Sequence, residues 1–311
     1  MDKRKLIIGT RGSTLALWQA NWVKSEIQKI QPEVEVELRT IKTTGDKILD
    51  VPLSKVGGKG LFVKEIEESL LAGESDLAVH SMKDVPVEFP EGLHLAAILR
   101  RETAEDALIS RSGLKFMDLP AGSKLGTSSL RRACQLLSLR PDIEILQLRG
   151  NLDTRIRKLD ERQFDAIVVA AAGLNRLGLS GRITESLETS VCLPAIGQGA
   201  VGVECRTDDN VVNSIVAKLN HSDTEVCVLA ERALLKRLQG GCQVPIAAHA
   251  TLIGNGILRL VALVGSVSGD RIIKGVKEGK VADAETTGVA LAQELLNRGA
   301  KEILDEVYEK R

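Results

Sequence analysis

Apolar positions along the first two-thirds of the chain follow two alternating rhythms. Short runs rich in Val, Ile and Leu predict strands over Lys5–Thr10, Val34–Ile41, Asp76–Val79, Leu93–Ile98, Asp106–Ile109, Ile143–Leu148 and Asp165–Val169. Between them, apolar residues recur at helical spacing over Thr14–Ile30, Leu61–Leu71, Leu130–Leu139 and Thr154–Glu161. Such alternation predicts an α/β fold of parallel sheets with crossover helices. After Asn220 the texture changes. A helix over Thr224–Leu238 precedes strands over Ala247–Ile253, Leu258–Ser266 and Asp270–Lys277, joined by the turn signals Gly254-Asn255-Gly256 and Ser268-Gly269-Asp270. This predicts an antiparallel three-stranded meander, covered by a closing helix from Ala284 to about Glu309, as a separate, smaller α+β domain. Thr43–Gly60 shows little periodicity, and connections of that length are usually lids or disordered segments.

At 311 residues the chain exceeds one ordinary core, which predicts two or three domains. Aromatics at 2% leave the packing to aliphatic side chains. Basic and acidic residues both number 42, so no global field favours nucleic acid or an anionic membrane, and any anion site has to be local. The start of the chain lacks the apolar run of a signal peptide, and the stretch around Ala166–Leu174 falls far short of the roughly 20 residues that span a bilayer. The expectation is a soluble protein that is not exported. Five cysteines, widely separated and without a C-x-x-C pair, predict neither a disulfide framework nor a metal cage. Cys134, Cys192, Cys205 and Cys227 read as buried small hydrophobes. Cys242 follows Gly240-Gly241 at a helix end, on a bend that would leave its thiol accessible to reaction.

Between Thr127 and Arg176 stand eight arginines (131, 132, 140, 149, 155, 157, 162, 176) and one lysine, Lys158. A solvated surface would accept lysine as readily, so the bias points to the guanidinium fork, which grips carboxylate or phosphate with two parallel bonds. Several of these residues fall at strand-to-helix junctions: Gly126-Thr127-Ser128-Ser129-Leu130-Arg131-Arg132 and Arg149-Gly150-Asn151 with Arg155, as Arg11-Gly12-Ser13 does near the start. A cation in a first helical turn opposes the macrodipole, and an anion placed there reverses the penalty. Ligands of α/β sheets bind at these carboxyl ends of strands, which points to a polyanion site; the rival reading is Arg–Glu pairing on the surface. Arg140, Arg157 and Arg162 read as ordinary surface or structural arginines. Gly57-Gly58-Lys59-Gly60 has the wrong spacing for a nucleotide-phosphate loop. His80-Ser81-Met82-Lys83-Asp84-Val85-Pro86 follows a strand at the same kind of edge; Asp84 reads equally as a turn cap or as a functional acid, and His80 as a satisfied core histidine.

Taken in order, Gly9-Thr-Arg-Gly-Ser-Thr-Leu-Ala-Leu-Trp-Gln, Val79-His-Ser-Met-Lys-Asp-Val-Pro, Gly126-Thr-Ser-Ser-Leu-Arg-Arg, Leu148-Arg-Gly-Asn-Leu-Asp-Thr-Arg, Ala195-Ile-Gly-Gln-Gly-Ala and Gly240-Gly-Cys-Gln-Val-Pro-Ile resemble the porphobilinogen deaminase family from end to end. The resemblance implies two periplasmic-binding-protein-like lobes, 1–99 with 200–219 and 100–199, and a cofactor-carrying domain over 220–311. It implies a dipyrromethane cofactor held through a thioether to Cys242. Four porphobilinogen molecules would be joined head to tail on it, with loss of ammonia, to give hydroxymethylbilane for porphyrin and haem biosynthesis. By the same carry-over, Ser13, Ser81, Lys83, Thr127, Ser128, Ser129, Arg131, Arg132, Arg149 and Arg155 bind the cofactor. Arg11, Gln19, Arg149, Arg155 and Arg176 bind substrate. Asp84 is the catalytic carboxylate facing the cationic azafulvene formed as ammonia leaves, and Asp46, Lys55 and Lys59 belong to a lid. A cytoplasmic monomer without metal, nucleic acid or membrane partner is implied. The competing reading is a non-catalytic two-lobed binding protein for a polycarboxylate.

Overall fold

A computed structural model describes residues 5–47, 60, 62–240 and 244–309. The chain forms two compact units: Met1–Pro52, Val56–Glu102 and Ala200–Glu225 fall in the first, Thr103–Gly199 and Val226–Arg311 in the second.

The first unit is built on a sheet of β1 (Lys5–Arg11), β2 (Glu35–Ile41), β3 (Leu77–Ser81), β4 (Leu93–Ile98) and β10 (Val201–Arg206), in the order β2-β1-β3-β10-β4. β1 runs parallel to β2 and β3, whereas β10 is antiparallel to both β3 and β4. The expectation of a purely parallel sheet is therefore corrected. Val201–Arg206 escapes a reading by periodicity because Gly202 and Glu204 interrupt its apolar run, and both are buried for local reasons described below. Helix Thr14–Ile30 covers one face through Ala20, Val23 and Ile27, a spacing that puts all three on one stripe against Ile8, Val36 and Val79. Helix Lys64–Leu71 brings Ile66 and Leu70 against Ala78 and Leu93.

The second unit contains a like sheet: β5 (Asp106–Ser110), β6 (Lys124–Gly126), β7 (Glu144–Leu146), β8 (Ala166–Ala170) and β9 (Glu185–Leu187), ordered β7-β6-β8-β5-β9. Again three parallel strands lie beside an antiparallel one, β5. Each sheet thus takes its reversed strand from the first strand after the chain crosses between units. The two units thus carry five-stranded sheets of the same mixed kind.

The remainder of the second unit holds the predicted meander, β11 (Ile246–Leu252), β12 (Ile257–Gly265) and β13 (Ile272–Lys280), antiparallel throughout. Helices Ser222–Arg237, Ala284–Leu295 and Lys301–Glu309 supply the rest of its core, with Leu234, Leu291, Leu295 and Ile303 packed on Leu258, Leu260 and Ala262. The single closing helix expected from Ala284 to Glu309 is in fact interrupted, since Gly299 takes φ 97° and kinks the chain between two helices.

Candidate active site

In the first unit β1 and β3 are parallel neighbours, so Arg11–Ser13 and Ser81–Asp84 emerge at one edge of the sheet. Ser13 caps the helix that follows: its Oγ accepts from Ala16 N at 3.3 Å, and no acidic residue occupies the first turn. Gln19, 3% exposed, donates to Ser81 Oγ at 2.9 Å and ties that helix to the end of β3. Met82–Asp84 form a single 3₁₀ turn whose anchor is Met82, buried, with its amide donating to Ala200 O at 3.0 Å. Gly202 has to be glycine here, because a Cβ would overlap the Met82 sulfur. Lys83 and Asp84 stand half-buried on this pinned turn.

Arg11 points its guanidinium at Asp46, with Nη2 donating to Oδ1 at 2.5 Å and Nε at 3.2 Å, and lies 4.3 Å over the Phe62 ring. Burial pushes the Asp46 carboxyl up, but the bonds and charge of Arg11, with Thr43, outweigh it and hold the group below the usual carboxylate range. Lys55 and Lys59 of the expected lid lie outside the described residues, as does Cys242.

In the second unit β6, β7 and β8 are parallel, so their carboxyl ends gather Thr127–Arg132, Arg149–Arg155 and Ala171–Arg176 at one edge. Two helices open there under side-chain caps, Ser129 accepting from Arg132 N and Asn151 from Thr154 N. Ser128 donates to Leu148 O at 2.7 Å, Thr127 Oγ1 accepts from Ser129 N at 3.2 Å, and Arg155 Nε donates to Gly150 O at 2.9 Å. Gly150, at φ 105°, leaves room only for the Thr154 side chain. Arg149 stays half-buried beside it, and Arg176 Nη2 donates to Gly199 O at 2.7 Å.

Arg131 and Arg132, each 4% exposed, meet a carboxylate that sequence reasoning missed: Asp106, fully buried on β5. Its oxygens accept from Arg131 Nη1 at 2.7 Å, Arg132 Nη2 at 2.7 Å and Nε at 3.0 Å, Gln198 Nε2 at 3.0 Å and the Cys192 thiol at 3.3 Å. Burial opposes the Asp106 charge, yet the two guanidinium groups overcome it and hold this carboxyl far below the ordinary range. So the anion demanded by cations in that first turn is supplied by the protein itself. Two guanidinium groups against one carboxylate still leave a net positive cluster. Cys192 is buried in the hydrophobic core, as expected, and also turns its thiol to Asp106; burial, then the Asp106 charge, pushes that thiol up to about 12. Arg140 and Arg157 are structural, as read: Arg140 binds Asp142 and the Leu119 carbonyl, and Arg157 lies beside Glu161 on the surface.

A second cluster missed from sequence lies behind the Asp84 turn. His80 Nε2 and Glu204 Oε2 are 2.9 Å apart, both buried, while Glu204 Oε1 and Glu67 Oε1 are buried without a hydrogen bond. Burial and then the Glu204 charge raise the Glu67 carboxyl to about 7. No spacing in the chain announces it, because the three residues come from β3, β10 and helix Lys64–Leu71.

Among the described residues no helix is long and apolar enough to cross a membrane. The two edges offer hydroxyls and guanidinium groups, the donor set that acetate and propionate side chains require, and Ser13 and Ser129 keep their O–H free to donate because capping uses only the oxygen as acceptor. Taken one edge at a time, these donors suit the carboxylate groups of a carboxylated pyrrole cofactor.

Comparison with known proteins agrees with that chemistry. Residues 6–214 match the family model described as porphobilinogen deaminase, dipyromethane cofactor binding domain, and residues 225–297 match porphobilinogen deaminase, C-terminal domain. The chain is 58% identical to the porphobilinogen deaminase of Pelobacter propionicus over 310 residues, covering 100% of this chain and 99% of the relative. It is also 58% identical to that of Geobacter metallireducens, covering 97% of the relative. Among solved structures the Bordetella pertussis BvgS VFT2 domain covers 70% of this chain and 85% of its own, at 17% identity and a TM-score of 0.42, a distant backbone likeness that says nothing about ligand or activity. On full-length identity and on both family matches, the chain belongs to the porphobilinogen deaminase family.

Proposed function

We propose that this chain is a hydroxymethylbilane synthase: a transferase that joins four porphobilinogen molecules head to tail, releases ammonia, and uses a dipyrromethane primer bound covalently through Cys242. The observation that carries this reading is 58% identity along the whole chain to proteins named porphobilinogen deaminase. The binding-protein alternative has only a likeness of fold behind it and is set aside.

When bound, the dipyrrole supplies the terminal pyrrole carbon to which each new unit is joined. This chain's residues hold and orient. Ser13, Ser81, Lys83, Thr127, Ser128, Ser129, Arg131, Arg132, Arg149 and Arg155 bind the cofactor; Ser13 and Ser129 are fixed by their capping bonds, and Arg131 and Arg132 by Asp106. Arg11, Gln19, Arg149, Arg155 and Arg176 bind the substrate's acetate and propionate. Asp84, on a turn pinned by Met82, presents a carboxylate to pyrrole N–H groups and to the positive charge that develops as ammonia leaves, a preorganised electrostatic contact. Asp46, Lys55 and Lys59 belong to a lid segment, and the Asp46 carboxylate occupies the Arg11 guanidinium that a substrate carboxylate would take. The enzyme works as a cytoplasmic monomer in tetrapyrrole synthesis, without metal, nucleic acid or membrane.

The test is chemical. Wild-type protein should weigh more than its sequence by one covalent dipyrrole and colour with an acidic aldehyde reagent for pyrroles; Cys242→Ser should lose the added mass, the colour and turnover, while Cys134→Ser keeps all three. Full activity in Cys242→Ser would exclude the tether.

A further inference from the structure

Between β9 and β10 the chain runs through Cys192–Gly199, a stretch without regular structure that is nevertheless buried at Cys192, Leu193, Pro194, Ile196 and Gln198. Irregular segments ordinarily lie on the surface, where water satisfies their backbone. This one is satisfied from two directions.

From one side come the arginine pair and its carboxylate. Leu193 O accepts from Arg131 Nη1 at 2.7 Å, Leu193 N donates to Gln135 Oε1 at 2.7 Å, and Gln198 Nε2 donates both to Asp106 Oδ1 at 3.0 Å and to Ala104 O at 2.6 Å. From the other side comes the C-terminal domain. Glu231, on helix Ser222–Arg237 and fully buried, accepts from Gly197 N at 2.7 Å with one oxygen and from Ala250 N of β11 at 2.9 Å with the other. Ala248 N donates to Pro194 O at 3.2 Å, and Ile196 belongs to the C-terminal core. A buried carboxylate is costly unless its oxygens are bonded, and here they bond amides of two separate elements. Hydrophobic contact alone would hold these surfaces together; directional bonds fix their register.

Cys242 lies in the chain between Arg237, where that helix ends, and Ile246, where β11 begins, the two elements that Glu231 connects. We propose that Glu231 and Gln198 are positioning residues that lock the C-terminal domain to the Asp106-held arginine pair, so that this domain and the arginines move as one body while the chain grows. The inference rests on the reading of the site given above. Its consequence is that carboxylates of the first pyrroles stay in place and every shift needed by later additions is taken up elsewhere.

The experiment compares wild type, Glu231→Gln and Gln198→Ala by three measurements on cofactor-loaded protein: intact mass before substrate, amide hydrogen exchange, and the mass ladder of partly elongated species after limiting porphobilinogen. Both variants should keep the dipyrrole. In Glu231→Gln the Gly197 and Ala250 amides should exchange at least about tenfold faster while β12 stays protected. In both variants the later intermediates should accumulate several-fold over wild type, because a loosened register fails as the chain lengthens; general destabilisation would instead slow every addition in proportion. A ladder of wild-type proportions in either variant overturns the proposal, as do Gly197 and Ala250 amides that keep their protection in Glu231→Gln. Should Glu231→Gln fail to fold, Gln198→Ala alone decides by its ladder. Wild-type protein lacking the covalent dipyrrole would overturn the functional reading instead, and amide exchange would still decide whether the tie exists.

Discussion

Asp84 and Asp106 are both carboxylates, yet their substitution tests different things. Asp84→Asn preserves shape and removes the charge proposed to face the departing ammonia. Turnover should fall roughly 100- to 1000-fold, about 2.7–4 kcal/mol, while intact mass still shows the dipyrrole; Asp84→Glu should keep part of the activity. Turnover within a few-fold of wild type would make Asp84 a turn cap. Asp106→Asn leaves two buried guanidinium groups facing a neutral amide, and breaking a buried pair costs about 3–5 kcal/mol, so the thermal midpoint should drop by many degrees even without substrate. A midpoint within a degree or two of wild type would mean that the buried triad contributes little. The arginine bias was legible in the chain because guanidinium in place of ammonium is a chemical choice. Asp106 was not, since its partners lie 25 and 26 residues away on another element and only the fold brings them within a hydrogen bond.

Elements were legible where a local rule governs them. Ser13, Ser129 and Asn151 stand where helix N-caps belong, and the glycine-bearing turns between the C-terminal strands mark their ends. β10 was illegible because its polar and glycine positions answer to Glu204's partner His80 and to Met82, both distant in sequence. Close packing of helix on helix is similarly hidden. At Gly288 helix Ala284–Leu295 crosses Ser222–Arg237 so closely that a Cβ would overlap the Ala230 carbonyl and press on Leu234 N, backbone atoms that cannot rotate away. Gly288→Ala gains helix propensity of up to about 1 kcal/mol yet should be net destabilising, by about 1–3 kcal/mol, because overpacking separates the helices. Chemical denaturation measures the sign: a stabilised variant would show that the crossing yields easily.

For the whole molecule the buried acids set a dependence of stability on pH with two opposed limbs. Asp106 is depressed, so its contribution is complete above about pH 4, the unfolded value, and is lost as pH falls below it. Glu67 is raised from 4.5 to about 7, so the native state holds a proton that the unfolded chain has released, and stability falls as pH rises from about 4.5 to 7 and then levels. The span corresponds to at most about 3 kcal/mol. Denaturation midpoints should therefore decline between pH 5 and 7 in wild type and decline less in Glu67→Gln; parallel curves for the two proteins would show that Glu67 does not titrate there.

The amino-acid sequence by itself determined the α/β alternation, the antiparallel C-terminal sheet, the balance of charge and the motifs that carry the family, because each depends on neighbours a few residues apart or on the kinds of residue present. Only the tertiary structure decided which strands run backwards in each sheet, that Arg131 and Arg132 share a buried carboxylate, that His80 meets Glu204, and that Cys192–Gly199 joins the arginine pair to the C-terminal domain. Those pairings are between residues far apart in the chain, and their energy comes from burial and direction in space, neither of which a linear pattern encodes.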